Sequence, residues 1–419
     1  MARSGEGVPQ AAGAVVSGLR RRHIATITAS HCASAFAALG LPLYLPRLLP
    51  ELGDPQARWA GVLYVLPTLC TALAAPVWGR LADRYGPKPL LIRAQFGLAL
   101  AFGLAAIAQD ITTLVIALAA QGLLGGTYSA STAYLAAGLS GSRLSGALAL
   151  MQGSARAALV GAPVLAGLLS TTMDVRQMYG LAAVLPLAAA IATALLAAPA
   201  GPGGEEASAA AATPVVSAPP RITVAGMCLA EAGFVLVTVI TFPYFLPLVG
   251  KVAPGLPPLA TGLLFAAPHL CYLAAAAVAL RFLRGRARPG LAAGYALAAV
   301  SAAAHLVPVA APGPGGLWWL VLGRLLLGAA LTCGLTSLSL LATEAAAGRR
   351  SGRLFGTVES CSKGGAVLAG VTASALAGLG PAVPLIVPVA AGIALAVGVA
   401  RFTASRSRTS QESFERSSL

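Results

Sequence analysis

Charge is what this sequence has least of. Only 10% of its 419 residues are Asp, Glu, Lys or Arg, where a soluble domain carries about 25%. Acids are the scarcer sign, 13 against 28 Lys and Arg, with four histidines beside them. So few charges cannot cover a water-soluble chain of this length, which excludes that class. The phosphate-binding loop G-x-x-x-x-G-K-[ST] is missing, so ATP is not the energy source. H-E-x-x-H and a nucleophile elbow are missing too, which counts against a membrane hydrolase. No two of the six cysteines (Cys32, Cys70, Cys228, Cys271, Cys333, Cys361) have metal-ligand spacing. All lie in apolar segments and read as free thiols, so neither a metal nor a cofactor is expected. The first 20 residues have no apolar core before a cleavage site, unlike a cleaved signal peptide.

What fills the sequence instead is hydrocarbon: 57% of residues are hydrophobic and the mean hydropathy is +0.81. Twelve apolar runs of membrane length fall between residues 24 and 400, six up to 198 and six from 222. The expectation is an all-α membrane protein with twelve transmembrane helices in two six-helix bundles. Residues 1–23 form an N-terminal tail, 24–198 the first bundle, 199–221 a linker rich in Ala, Pro and Gly, 222–401 the second bundle and 402–419 a C-terminal tail.

The net charge of +15 invites a nucleic-acid reading. Its distribution argues otherwise. With the N-terminus in the cytoplasm, 21 of the 28 cations fall in cytoplasmic segments, four in outer segments and three within spans. That asymmetry is the positive-inside rule. It puts the chain in the inner (plasma) membrane with both termini cytoplasmic, in contact with bilayer lipid, as a monomer that needs no nucleic acid.

The halves repeat each other. Gly61-Val62-Leu63-Tyr64 and Pro67-Thr68-Leu69-Cys70 recur as Gly262-Leu263-Leu264-Phe265 and Pro268-His269-Leu270-Cys271, an offset of 201 (262 − 61). Pro42, Leu45 and Pro46 recur as Pro243, Leu246 and Pro247 at the same offset. Parallel six-helix repeats of this kind place a substrate site between the bundles near the bilayer midplane.

One polar island is specific. Gly79-Arg80-Leu81-Ala82-Asp83-Arg84-Tyr85-Gly86-Pro87-Lys88 sits between two apolar runs. It resembles the loop between the second and third helices of major facilitator superfamily transporters, G-x-L-a-D-r-x-G-r-k, with Pro87 replacing a cation. The resemblance implies a twelve-helix transporter in which Gly79, Asp83, Arg84, Gly86 and Lys88 form a conformational latch on the cytoplasmic side. Span five, with Gly153, Pro163 and Gly167, is similar to the exporter-associated glycine-rich pattern of that family. The resemblance is to bacterial drug and metabolite exporters.

Ionisable residues at membrane depth are costly and usually mark function. Glu231, in span seven, is suited to exchanging a proton, and His31 in span one and Glu359 in span eleven are further proton-coupling candidates. The family's span-four pattern L-x-x-x-R-x-x-Q-G is met by Leu114, Leu118, Gln121 and Gly122, so Leu118 stands where the arginine belongs. An arginine occupies the matching place in span ten, Arg324, and is expected to pair with Glu231, Glu359 or an anionic substrate. Arg156, Arg324, Lys363 and Gln121 are the substrate-binding candidates. Glu359 and Lys363, at i and i+4, share a helix face.

The function expected is secondary active export of a small molecule, a drug or metabolite such as a siderophore, by proton antiport with alternating access. The chain is not expected to be an enzyme. The alternatives are a proton-coupled or facilitative importer and a receptor that binds without net flux.

Overall fold

The computed structural model describes residues 19–139, 141–199, 222–346 and 351–417. Within them, side chains are not described at 76, 79, 83, 141, 142, 144, 145, 149, 152, 343, 345, 346, 351–356, 359 and 402–417. The linker therefore lies almost wholly outside the described residues.

The described backbone is helical and contains no strand. In chain order the first half holds α1 (Arg21–Gly40), α2 (Ala60–Tyr85), α3 (Pro87–Ala106), α4 (Ile111–Leu124), α5 (Thr127–Ala136), α6 (Gly141–Leu169) and α7 (Val175–Ala194). The second half holds α8 (Val224–Val239), α9 (Phe245–Val252), α10 (Pro258–Leu283), α11 (Ala287–Ala310), α12 (Gly316–Ala346), α13 (Ser351–Ala377) and α14 (Ile386–Ser417). Helix is the only element that satisfies every backbone polar group inside lipid without closing a barrel.

Among the described residues, nine helices are long and apolar enough to cross a membrane. Two shorter apolar stretches, Ala60–Ala75 and Val224–Val239, lie where the second and seventh spans are expected. Helix α13 lies at the place of the eleventh. Polar side chains interrupt its apolar run, Lys363 among them.

Local chemistry sets the breaks. Gly86 alone separates α2 from α3, at φ +82, a backbone conformation glycine adopts without cost. Pro87 then opens α3, where its missing N–H would have had no helical partner. Gly125 and Gly126 divide α4 from α5, with Gly126 at φ +86. Asp110 caps α4 and Asp174 forms a capping box with Gln177 at the start of α7.

The bundle has two ends. The first, called the Gly86 end, gathers the α2–α3 turn with the ends of α1, α5 and α7. Lys88 Nζ donates to the Leu196 and Ala194 carbonyls, Tyr134 Oη to Ala197 and Arg143 to Leu19. The opposite, the Gly53 end, carries 41–59, 170–174 and 240–257. Three short turns continue α1 there, Leu41–Tyr44, Leu45–Leu48 and Leu49–Leu52.

The two halves meet at the Gly53 end through a shared core. One apolar cluster mixes Leu43, Leu63 and Phe102 of the first half with Phe245, Phe265 and Leu320 of the second. Toward the Gly86 end each half has a cluster of its own. One is built on Ile27, Leu91 and Tyr134, the other on Met227, Phe234 and Leu338. Crossing helices touch where side chains vanish. A Cβ on Gly61 of α2 would collide with the Gly370 carbonyl of α13, and one on Gly262 of α10 with the Pro163 carbonyl of α6. Small residues at such crossings let backbones meet.

Candidate functional site

Arg324 anchors the site. It is fully buried in α12, with no exposed area. Pro268 lies inside α10 and has no N–H, so the carbonyl four residues back, Leu264, has no helical donor. Arg324 supplies one: Nε donates to Leu264 O at 2.9 Å and Nη2 to Phe265 O at 2.5 Å. Rings of Phe245, Phe265 and Phe242 lie 4.3, 5.3 and 5.5 Å from the guanidinium carbon. They give a cation–π enclosure in place of water. Nη1 is buried with no hydrogen-bond partner. Tyr64 of α2, from the other half, is near enough to feel the Arg324 charge.

Among the described residues, which do not include the Glu359 side chain, Arg324 has no ion pair; it donates to Leu264 O, which Pro268 leaves without a helical donor, and to the neighbouring Phe265 O.

The repeat is visible in three dimensions. On α4, a Cβ at Gly122 would lie 2.5 Å from the Cys70 Cβ of α2, and on α12 a Cβ at Gly328 would lie 2.5 Å from the Cys271 Cβ of α10. Arg324 sits four residues before Gly328 as Leu118 sits four before Gly122. The two positions are equivalent, and Leu118 is simply packed in the shared core. Gln121, next to Gly122, is buried on α4.

Arg156 on α6 is half-buried, its guanidinium carbon 4.8 Å from the Tyr272 ring of α10. That contact joins the two halves. His269, one turn from Phe265, is buried and lies against Phe242 at 5.7 Å between ring centroids, within the electrostatic reach of both Arg324 and Arg156.

Glu231 on α8 is half-buried beside Tyr295, whose hydroxyl donates to Ala230 O at 2.6 Å. Neither Glu231 nor Lys363 is without a partner. His31 on α1 is buried against Tyr128, with ring centroids 5.4 Å apart, and neither ring nitrogen has a hydrogen-bond partner. A His31–Glu231 hydrogen bond is thus not formed. The Glu359 side chain lies outside the described residues.

The latch residues divide. Gly86 makes the turn, Lys88 caps α7 within its own half, and Arg84 lies over Tyr85 at 5.4 Å. The side chains at Gly79 and Asp83 lie outside the described residues.

Two arrangements had no reading in the sequence. At the Gly86 side of α4, Trp78 Nε1 donates to Leu123 O at 2.7 Å and Arg93 Nη1 to Leu124 O at 2.8 Å. The Arg93 guanidinium carbon lies 3.3 Å from the Trp78 ring centre. The glycine pair 125–126, which frees those carbonyls, was the available signal. At the Gly53 end, α2 has no side-chain cap of its own. Tyr244 Oη accepts Gly61 N–H at 3.2 Å and donates to Arg58 O at 2.7 Å, and Ser374 Oγ accepts Val62 N–H at 2.8 Å. The second half thus caps a helix of the first.

A two-bundle helical membrane protein with one arginine buried at membrane depth and a second, half-buried, across the seam of its halves has the architecture of a secondary transporter. The model of the Major Facilitator Superfamily matches residues 26–286, and the chain belongs to that family. It is a multi-span membrane transporter and not an enzyme. Multidrug resistance protein MdtG of Dickeya zeae (strain Ech586) is 35% identical over 146 residues, 35% of this chain and 36% of that protein. MdtG of Proteus mirabilis (strain HI4320) is 35% identical over 152 residues, 36% of each. The match spans about a third of the length of these curated relatives, 36%. In fold, the chain is similar to the POT family transporter PepTSo, with TM-score 0.72, 14% identity and coverage of 92% of this chain and 98% of that one. It is also similar to the nucleoside transporter NupG, with TM-score 0.69, 13% identity and coverage of 90% and 99%.

Proposed function

We propose that this transporter exports a small molecule, a drug or an anionic metabolite such as a carboxylate-bearing siderophore, by proton antiport with alternating access. One observation carries the reading: among the described residues the halves share a core at the Gly53 end and have separate cores toward the Gly86 end. A carrier halted with one gate closed has that form. The cation asymmetry supports a cytoplasmic Gly86 end and cytoplasmic termini in the inner membrane, so the closed gate is the outer one. Local identity to multidrug resistance proteins supports export.

In this reading Arg156, with Tyr272, offers a cation and a ring to an anionic, partly aromatic substrate. Glu231 takes up the outside proton, and its neutralisation accompanies substrate release. Inverted vesicles test this. An imposed proton gradient should drive uptake of an exported compound, and Glu231→Gln should abolish the driven component. Gradient-driven transport unchanged by Glu231→Gln would remove the proton role. Transport in the opposite direction would remove export.

A further inference from the structure

Cys228 and Cys361 meet across the seam between α8 and α13. The cause is one turn away. A Cβ on Gly365 of α13 would collide with the Ala232 carbonyl of α8 and lie 2.9 Å from its Cα, so the two backbones touch there. Both helices run from the Gly86 end to the Gly53 end. Cys228 lies four residues before Ala232 and Cys361 four before Gly365, on the same facing sides. That backbone contact and the shared register set the two thiols on facing sides of the seam, near enough to act on one another electrostatically, with the Glu231 carboxylate three residues along α8 also within reach of Cys228. Both cysteines are half-buried and neither is in a disulfide. No step of the export reading uses them, and a role for the pair lies beyond that reading.

We propose that Cys228 and Cys361 form a dithiol site that captures trivalent arsenicals. Two adjacent soft sulfurs select a thiophilic centre over a hard cation. A structural zinc ion would require four ligands, more than this pair and one carboxylate supply. A trivalent organoarsenical needs only two sulfurs, its third valence being held by carbon. With phenylarsine oxide, each thiol sulfur forms an As–S bond, the As–O linkage breaks, and the two thiol protons leave with the oxygen as one water. Arsenic stays trivalent throughout and no oxidant is consumed. Glu231 is placed to accept a proton in transit from the first thiol.

The test uses the purified full chain with Cys32, Cys70, Cys271 and Cys333 replaced by alanine, and phenylarsine oxide as probe. One equivalent should bind, resist excess 2-mercaptoethanol and leave with 2,3-dimercaptopropanol. Cys228→Ser and Cys361→Ser should each weaken retention by about 10²-fold, the gain expected from closing a second bond at high effective concentration. Retention unchanged in either single variant, or release by the monothiol, overturns the proposal. Should the four-alanine background fail to fold, mass spectrometry on the unsubstituted chain reads the same point. A peptide pair joined through arsenic at 228 and 361 supports the site. Adducts only at other cysteines overturn it. Neither experiment involves flux, so its failure is independent of the export reading.

Discussion

At the scale of single residues, the structure turns on polar atoms that helices leave unpaired. Pro268 frees Leu264 O and Arg324 takes it. The two should therefore be energetically coupled. Arg324→Ala leaves Leu264 O buried without a donor, at about 1–3 kcal/mol. Pro268→Ala returns an N–H to the helix and gives Leu264 O a local partner. The cost of Arg324→Ala should fall by about 1 kcal/mol in the Pro268→Ala background. Thermal unfolding of the four proteins in a double-mutant cycle measures this, and additivity within a few tenths of a kcal/mol would refute the coupling. Asp110 makes the simpler case, since it lies outside the spans. Hydrogen bonding from Thr113, chiefly its backbone N–H at 2.7 Å, holds the Asp110 carboxyl below its usual value. A depressed folded value adds stability above the unfolded value of about 3.9, and that stability disappears as pH falls through the folded value. The melting-point gap between the wild type and Asp110→Ala should be full at neutral pH and shrink below about pH 4. A gap constant to about pH 3 would contradict it.

At the scale of elements, glycine and proline decide where helices stop, and other residues answer for the ends. The break at 125–126 exposes the α4 C-terminus to Trp78 and Arg93, a cation at the negative end of a helix dipole. Arg93→Leu removes a charged donor, worth about 1.5–3 kcal/mol. Trp78→Phe removes one neutral donor, worth about 0.5–1.5 kcal/mol, and keeps an aromatic ring beneath Arg93. Arg93→Leu should accordingly lower the melting temperature more than Trp78→Phe, and the reverse order would refute this capping account. These elements also show how far the sequence could be read. The 201-residue offset is a property of residue order, and Pro67–Cys70 and Pro268–Cys271 do occupy matching places beside Gly122 and Gly328. The break at the polar island was legible but not its extent: residues 79–88 resemble a loop, whereas α2 runs on to Tyr85 and Gly86 alone makes the turn. The partner of Arg324 was not legible. A scan for buried cations looks for acids, whereas a carbonyl is present at every residue, and only the packing of α12 on α10 tells which one is free. The capping of α2 by Tyr244 and Ser374 escaped for a related reason: the donors and acceptors lie 183 and 312 residues apart.

At the scale of the whole molecule, that last contact joins helix capping to the position of the gate. The first N–H groups of any helix need acceptors. In α2 the N–H groups of Gly61 and Val62 find them across the halves at the Gly53 end, since Tyr244 and Ser374 belong to the second half, whereas Ala60 N–H bonds Ala57 O within its own half. Opening that end exchanges these acceptors for water. Tyr244→Phe and Ser374→Ala should each weaken closure by about 1 kcal/mol, which multiplies the population open at the Gly53 end roughly fivefold. The glycine crossing gives a steric counterpart. Gly61→Leu would drive a side chain into the Gly370 backbone and should open the same end more strongly. Spin labels on the 41–59 and 311–315 segments report the separation directly. Longer distances should gain weight in the order Ser374→Ala, then Gly61→Leu. Ser170→Ala serves as the control, because Ser170 Oγ bonds Gly167 O of its own helix at the same end and its loss leaves the crossing intact. If Ser374→Ala and Ser170→Ala gave the same distance distribution as wild type, the cross-half cap would be passive and the closed gate would rest on apolar packing alone.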